Sequence, residues 1–401
     1  MGKALEGVRV LDLGRYLSGP YSGMLLADMG AEVIKIEKRG GDLDRELHPW
    51  KNGKSMYVPM FARNKRCITL NFRSPDGQKL LREFVKRSDV VISNFRAGVL
   101  EKMGLDYESV KMINPRIIVA AISGYGQKGD NAGRTAFDGA ATALSGVMYE
   151  NFIEGIGPRN LGSPIADITT GYVNTLAVVM ALFQRERTGV GQFIDTAMVD
   201  CMVPHLESQI PSIYIDGRLW EPGGRKGGDP NGAPANIFKA KDGYIYVHAG
   251  MQPFFQTLRK ITEDYPEFHN VINEERFDQL EARVEHFEYI EELMGKWVGT
   301  MTVDEAEKRI SGAGIPSSRV NRIEDLLKDN DYVKEREQIV WIDMPGVGKV
   351  PFAGSPLKLS DSPVDTFRPG EDVGQSNYEI YSSVLGMSKD EIDAYIEKGV
   401  I

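Results

Sequence analysis

The first third of the chain alternates short, continuously apolar runs with amphipathic ones. VRVLDLG (residues 8–14) reads as a buried strand, YSGMLLADMG (21–30) as a helix stopping at Gly30, and EVIKIEK (32–38) as a second strand. SPDGQKLLREFVKRSD (74–89) has helical periodicity. Leu80, Leu81, Phe84 and Val85 fall on one face, Ser74 is placed to cap the helix, and Pro75 suits its first turn. DVVIS (89–93) and RIIVAAIS (116–123) are further strands. Strands apolar on both faces and separated by helices predict an α/β domain with a mostly parallel, Rossmann-like sheet covered on both sides.

The pattern changes after about residue 200. EPGGRKGGDPNGAP (221–234) holds five glycines and three prolines and reads as a loop. NIFKAKDGYIYVHAG (236–250) then reads as a β-hairpin turning at Lys241-Asp242-Gly243, and a helix opens at the capping box Thr302-Val303-Asp304-Glu305. The expected organisation is a large domain over 1–200 completed by 330–401, a linker over 201–225 that includes the glycine-rich loop, and a smaller α+β domain over 226–329. The tail beyond 330 is rich in Pro, Gly and Asp and ends in a short helix boxed by Ser388 and Glu391.

Composition narrows the function classes. The 401 residues are 42% hydrophobic, ample for more than one core. Acids outnumber bases 57 to 48, the net charge is -9, and no basic block is long enough for a nucleic-acid footprint. The N-terminus runs straight into a strand pattern, so no signal peptide is expected. The strongest apolar run, Leu176–Phe183, falls short of the roughly 18 residues of a membrane span. Two cysteines, Cys67 and Cys201, with nothing to suggest pairing, fit a reducing cytoplasm. His48, His205, His248, His269 and His286 are scattered, so no metal site is expected.

Four stretches could carry chemistry. GYGQKG (124–129) matches a dinucleotide-binding glycine motif, but DNAGRTAFD follows it and does not open a helix, which argues against a dehydrogenase. Glu37 ends the second strand, where an acid would read a ribose, yet Lys38-Arg39 follow at once and suit a phosphate better. Basic and polar residues recur at strand ends: Asn64-Lys65-Arg66, Asn94-Phe95-Arg96 and Lys102. Last, SPIADITTG (163–171) puts a lone carboxylate, Asp167, among small and apolar neighbours at the mouth of a long helix. As a cap it would contribute about 1 kcal/mol. The helix end would also keep it ionised, as a nucleophile needs, and one carboxylate could serve both roles.

In this order and spacing, VRVLDLGRYLSGPYSGMLLADMGAEVIKIEK, NKRCITLNFRSPDGQKLL, VISNFRAGVLEKMGLDYE, SGYGQKG and PIADITTG resemble the class III CoA-transferases, the group of formyl-CoA transferase and carnitine CoA-transferase. The resemblance spans essentially the whole chain. It implies an enzyme with coenzyme A as its acyl-CoA substrate, a carboxylic acid as acceptor, no metal, and an interlocked homodimer. It implies that Asp167 is the nucleophile. It assigns the CoA cleft to Leu17, Ser18, Lys38, Leu70, Asn71, Asn94, Phe95, Arg96, Lys102 and Met103, with Thr135, Phe137 and Asp138 beside the thioester. Gly223, Gly224, Gly227 and Gly228 resemble a mobile lid. Ala97 and Lys102 depart from a usual proline and arginine, and a lysine gives up bidentate phosphate contact.

The course implied is attack of Asp167 on a donor thioester, giving a mixed anhydride and CoA thiolate. An aspartyl-CoA thioester follows, and the acceptor acid then reverses the steps. The same resemblance includes 2-methylacyl-CoA racemases, which carry a His-Asp pair where this chain has Phe137-Asp138. Proton removal and return on opposite faces needs two acid–base groups, and a phenyl ring supplies none, so transferase is favoured over racemase.

Overall fold

A computed structural model describes residues 2–153, 155–216, 232–328, 331–364 and 366–401. The chain divides into two compact units. One comprises residues 1–148, 160–207 and 331–401, and the other 149–159 and 208–330.

In the first unit six apolar runs form β1 (Arg9–Asp12), β2 (Glu32–Glu37), β3 (Arg66–Thr69), β4 (Val90–Ser93), β5 (Ile118–Ser123) and β6 (Phe193–Ala197). All neighbours pair in parallel, in the order β6-β5-β4-β1-β2-β3. Leu11 lies level with Ile34 on one side and Val91 on the other, and Val10 with Val33 and Val90. Alternate residues therefore feed two cores. Leu11, Ile34, Ile36, Ile68, Val91 and Val119 pack with Leu80, Leu81, Phe84 and Val85 of α2 (Pro75–Lys86). Val10, Val33, Val90, Ile92, Ile118 and Ala120 pack with Leu26 of α1 (Ser18–Asp28) and with Val178, Ala181 and Leu182 of α4 (Ile165–Thr188). Each fully buried aliphatic side chain contributes roughly 1.5–3 kcal/mol, so both faces of the sheet are firmly covered.

Ser74 caps α2 by accepting from Gly77 N–H at 2.9 Å, with Pro75 at the first position, as its sequence predicts. α1 begins three residues before the apolar pattern does. Pro20 fits inside its first turn, where a backbone N–H has no intrahelical acceptor to lose. α1 is buried nearly all round, because α4 covers the face that the sheet leaves free.

α4 corrects the reading of its own hydropathy. Its 24 residues are long and apolar enough, by length and composition alone, to cross a membrane. Here one face lies in the core, and its Thr170, Asn174 and Arg185 are buried with polar partners.

The C-terminal segment is a structural part of the sheet. Glu371 accepts from Cys67 N–H at 2.7 Å and Asn377 from Thr69 N–H at 2.9 Å, so side chains cover the free edge of β3. Helices Asn377–Leu385 and Lys389–Glu397 add Ile380, Tyr381 and Ile392 to the α2 core, and the Ser388–Glu391 box is formed. A hairpin, Ile339–Met344 with Gly348–Ala353, lies within what reads as an irregular tail.

The second unit has its own core around Phe238, Val247, Phe255, Phe268, Leu293 and Trp297. Its antiparallel sheet joins Ala235–Lys239, Tyr244–His248 and Ser317–Arg319, and the Thr302–Glu305 capping box opens helix Val303–Ile310. The short hairpin Phe152–Ile153 with Gly157–Pro158 belongs to this unit. The linker glycines Gly223, Gly224, Gly227 and Gly228 lie outside the described residues.

Candidate active site

The strand order changes direction between β1 and β4, and in a wound parallel sheet this is where the loops at the carboxyl edge part to leave a crevice. Residues 13–17 follow β1, and Asn94 follows β4.

The loop after β1 is held residue by residue from below. Asp12 accepts from Gly14 N–H at 2.8 Å, and Lys35 donates to Gly14 carbonyl at 3.1 Å. Asn94 pairs with Arg15 twice, accepting from its N–H at 2.9 Å and donating to its carbonyl at 2.7 Å. Asp44 accepts from Tyr16 N–H at 2.9 Å. Tyr16 sits in the left-handed region at φ 59°, a conformation costly for a tyrosine and sustained here by those surroundings. The loop delivers Ser18 to the first turn of α1.

Asp167 stands in the first turn of α4, facing Ser18. The two helices approach closely because of Gly171, one turn on. A side chain there would come within 2.8 Å of the Tyr21 ring and 3.1 Å of Ser18 carbonyl. The next turns continue the seam, with Asn174 and Thr175 both donating to Ser22.

The helix cap belongs to a different residue from the one the sequence suggests. Asp138, first residue of α3 (Asp138–Leu144), accepts from Ala166 N–H at 2.7 Å and Asp167 N–H at 3.1 Å. Asp138 thus occupies the N-terminus of α4, and Asp167 is left free of its own helix. The hydroxyl and the N–H of Ser18, at the head of α1, favour its charged form. Burial outweighs the Ser18 contribution, and the neighbouring Asp138 charge adds to burial, so the Asp167 carboxyl is pushed up to about 6. It is therefore charged at neutral pH in spite of its environment, not because of its own helix end.

Aromatic rings crowd the same place. Phe137, 63% exposed, meets Tyr16 edge-on with centroids 5.7 Å apart. Tyr57 is pushed up to about 12 by burial and by the charge of Asp167. Tyr57 packs on Phe61, Phe61 on Tyr21, and the Tyr21 hydroxyl donates to Tyr172 at 2.7 Å. Tyr16, Tyr57 and Tyr21 were not among the residues singled out by sequence. The only local signal is that aromatic residues stand at 16, 21, 57 and 61, and nothing local ties 57 to 167.

The structure thus brings together Ser18, Asn94, Asp138 and Asp167, with Phe137 beside them through Tyr16. Leu17 and Leu70 are buried and serve the core. Asn71 is used in backbone bonds, donating to Gly399 carbonyl at 3.3 Å and accepting from Arg73 N–H at 3.1 Å. Phe95 and Met103 lean on the α2 core, and Arg15 lies over the Phe95 ring at 5.2 Å. Lys38, Arg96 and Lys102 are exposed at the same sheet edge, with no ion-pair partner among the described residues, and Thr135 is exposed on the loop after β5.

Two sequence candidates take structural roles. Lys65 is fully buried, 2.6 Å from Asp12, while Arg66 pairs with Glu371 and Glu379 and Asn64 donates to Asp28. That cluster is a set of internal ties, not a ligand edge. Glu37 reads no ribose: it is buried and held by Arg45, with bonds of 3.0 and 2.7 Å. Ligand atoms of Glu37, Asp42 and Asp44 lie within 4.8 Å of one another. Arg45 and Lys35 face Glu37, and Arg15 lies 3.2 Å from Asp42, so three cations balance the three acids and the cluster is an ion network. The GYGQKG segment is a loop, its Gln127 N–H bound to Asp195, with no helix opening before Asp138.

A wound α/β sheet with a half-buried carboxylate beside its switch-point crevice is here, by family, the sheet of an enzyme. The chain belongs to CoA-transferase family III, whose model matches residues 5–377. It is 33% identical over 404 residues to the succinyl-CoA–D-citramalate CoA-transferase of Chloroflexus aurantiacus, covering 100% of this chain and 98% of that one. It is also 33% identical over 422 residues to the formyl-CoA:oxalate CoA-transferase of Streptomyces coelicolor, covering 100% and 99%. Among solved structures, a CAIB/BAIF family protein from Brucella suis superposes with a TM-score of 0.83 at 31% identity, over 96% of this chain and 100% of that one.

Proposed function

We propose that this CoA-transferase works through covalent catalysis at Asp167. The observation that carries the reading is the Asp167 carboxylate itself. It is half-buried, without a cation partner among the described residues, relieved of capping by Asp138, and favoured in its charged form by the Ser18 hydroxyl and N–H.

An Asp167 oxygen attacks the thioester carbonyl carbon of the donor. The C–S bond breaks, CoA leaves as thiolate, and a mixed anhydride remains. The thiolate then attacks the aspartyl carbonyl carbon. The anhydride C–O bond breaks, the donor acid leaves as carboxylate, and Asp167 carries CoA as a thioester. The acceptor carboxylate attacks that thioester and the same two exchanges run in reverse, restoring Asp167 with no net proton change. Each addition puts negative charge on a carbonyl oxygen. The first amides of α4 are occupied by Asp138, so the N–H of Ser18 is the backbone donor best placed to receive it.

Lys38, Arg96 and Lys102 would take the CoA phosphates, with Phe95 near its flat base, since these cations are exposed at the carboxyl edge and unspent. Citramalate and oxalate, named for the two relatives above, are both dicarboxylic, and we extend that class to the acceptor here.

We further propose a homodimer of the interlocked kind. Supporting it, Tyr172, Val173, Leu176, Val179, Met180 and Phe183 form an exposed apolar stripe along α4 at helical spacing, of the sort a soluble chain covers with a partner. Two buried, unpaired cysteines accord with a cytoplasmic setting.

The test is trapping. Incubation with an acyl-CoA and hydroxylamine should inactivate the enzyme and leave a hydroxamate on the peptide that holds Asp167. Label on another residue, or full activity after trapping, would remove the covalent route. A panel of acyl-CoA donors against mono- and dicarboxylic acids, read by mass spectrometry of the CoA products, identifies the acceptor.

A further inference from the structure

We propose that Asn94 and Ser18 form a positioning relay for the nucleophile. In it the Asn94 amide orients the Ser18 hydroxyl and the hydroxyl holds Asp167. The inference rests on Asp167 being the nucleophile, and it gives Asn94 and Ser18 a task other than contact with CoA.

The direction of the relay follows from the bonds. Asn94 Oδ1 accepts from Arg15 N–H, so its Nδ2 is the end turned toward Arg15 carbonyl and toward Ser18 Oγ, 3.3 Å away. Nothing about that amide can flip without losing both bonds to Arg15. Ser18 Oγ therefore accepts from Asn94, which leaves its single hydrogen for the Asp167 carboxylate, whose charged form the hydroxyl favours. Ser18 is 3% exposed, so water does not compete for that hydrogen. Gly19 makes room for the arrangement, since a side chain there would sit 3.2 Å from Asn94 Cγ. Ser18 N–H favours the same charged form, so in the relay the carboxylate has two donors from one residue. A nucleophile held in an attacking orientation gains rate without tighter substrate binding. Once Asp167 is acylated it is no longer a carboxylate, and the same two donors can serve the carbonyl oxygen on which charge develops.

Ser18→Ala should lower kcat roughly 100–1000-fold, the scale of losing one donor to a reacting oxygen, with KM for acyl-CoA within about twofold. Its acid limb should move above the wild-type position near pH 6, because a bond that favours the charged carboxylate is lost. The other groups facing Asp167 are unchanged in the variant: Asp138 on α3, and Tyr57, which stays neutral through this range. Ser18→Thr, which keeps a hydroxyl, should recover much of the rate. Asn94→Ala should act in the same direction, and Ser18→Ala/Asn94→Ala should be no worse than Ser18→Ala. Thermal melts report whether each variant is folded.

A raised KM with unchanged kcat would assign both residues to CoA binding and overturn the relay. So would wild-type rates in Ser18→Ala, an unmoved acid limb, or additive losses in the double variant. If Asp167 variants themselves retain transfer, the nucleophile reading fails and the relay with it. If Asp167 is essential and traps label while Ser18→Ala behaves as wild type, only the relay fails.

Discussion

Asp12 and Asp167 both lie at the carboxyl edge of one parallel sheet, and they have opposite fates. Asp12 is fully buried, yet Lys65 sits 2.6 Å from one oxygen and Gly14 N–H 2.8 Å from the other. Asp167 is less buried, but no cation pairs with it among the described residues; the Ser18 hydroxyl and N–H favour its charge and the negative charge of Asp138 opposes it. The first carboxylate is neutralised and becomes framework. The second is kept charged with little to satisfy it, which is what the proposed nucleophile needs. Burial by itself does not make an acid reactive; burial without a counter-charge does. The two are linked, because the ion-paired floor of Asp12, Lys35 and Asp44 fixes the loop that presents Ser18 to Asp167.

The largest break in this contrast is Asp167→Ala. It should lower CoA transfer by at least about a thousandfold, as removal of a covalent nucleophile does. The fold should be undisturbed, because Asp138 and not Asp167 caps α4. Residual transfer above a few percent in the assay would end the comparison.

Breaking the framework acid should cost stability instead. Lys65→Met leaves Asp12 buried without its cation, a loss of about 3–5 kcal/mol in urea unfolding, and Asp12→Leu/Lys65→Met should recover most of it. A single variant within about 1 kcal/mol of wild type would show that Asp12 does not need its partner.

The smallest effect has the opposite sign. The folded Asp167 carboxyl holds its proton up to about pH 6, above its unfolded range, so ionising it costs the folded state. That cost is absent below about pH 4 and complete above about pH 7. Asp167→Asn should accordingly raise the melting temperature at pH 8, by the equivalent of about 1 kcal/mol once partial exposure is allowed for, and the gain should vanish at pH 4. A variant less stable than wild type at pH 8 would show that Asp167 is a structural acid after all.

Much of the frame is legible along the chain. Four of the six sheet strands, the capped α2, the hairpin at 235–248 and the two capping boxes all follow from spacings of a few residues, and local sequence sets them, whereas the edge strands β3 and β6 were not read from it. The hairpin at 339–353 was legible in principle, since Pro345-Gly346 sits between two β-rich runs, but the surrounding Pro, Gly and Asp masked it. Asn64-Lys65-Arg66 misled for a physical reason. A cation at a strand end looks the same in sequence whether it faces solvent or a buried acid 53 positions away.

For the site, sequence by itself determined that Asp167 lies in the first turn of a long helix with small neighbours, because helix starts are local and Gly171 is visible four residues on. Which carboxylate caps that helix was settled only in three dimensions, since Asp138 reaches it across 28 residues. The same holds for the donors to Asp167. Ser18 precedes it by far in the chain and meets it only because the sheet places α1 against α4, with Gly171 letting their backbones approach. Side-chain chemistry can be read from one position at a time. The field that sets a carboxyl to about 6 is a sum over groups that folding alone assembles.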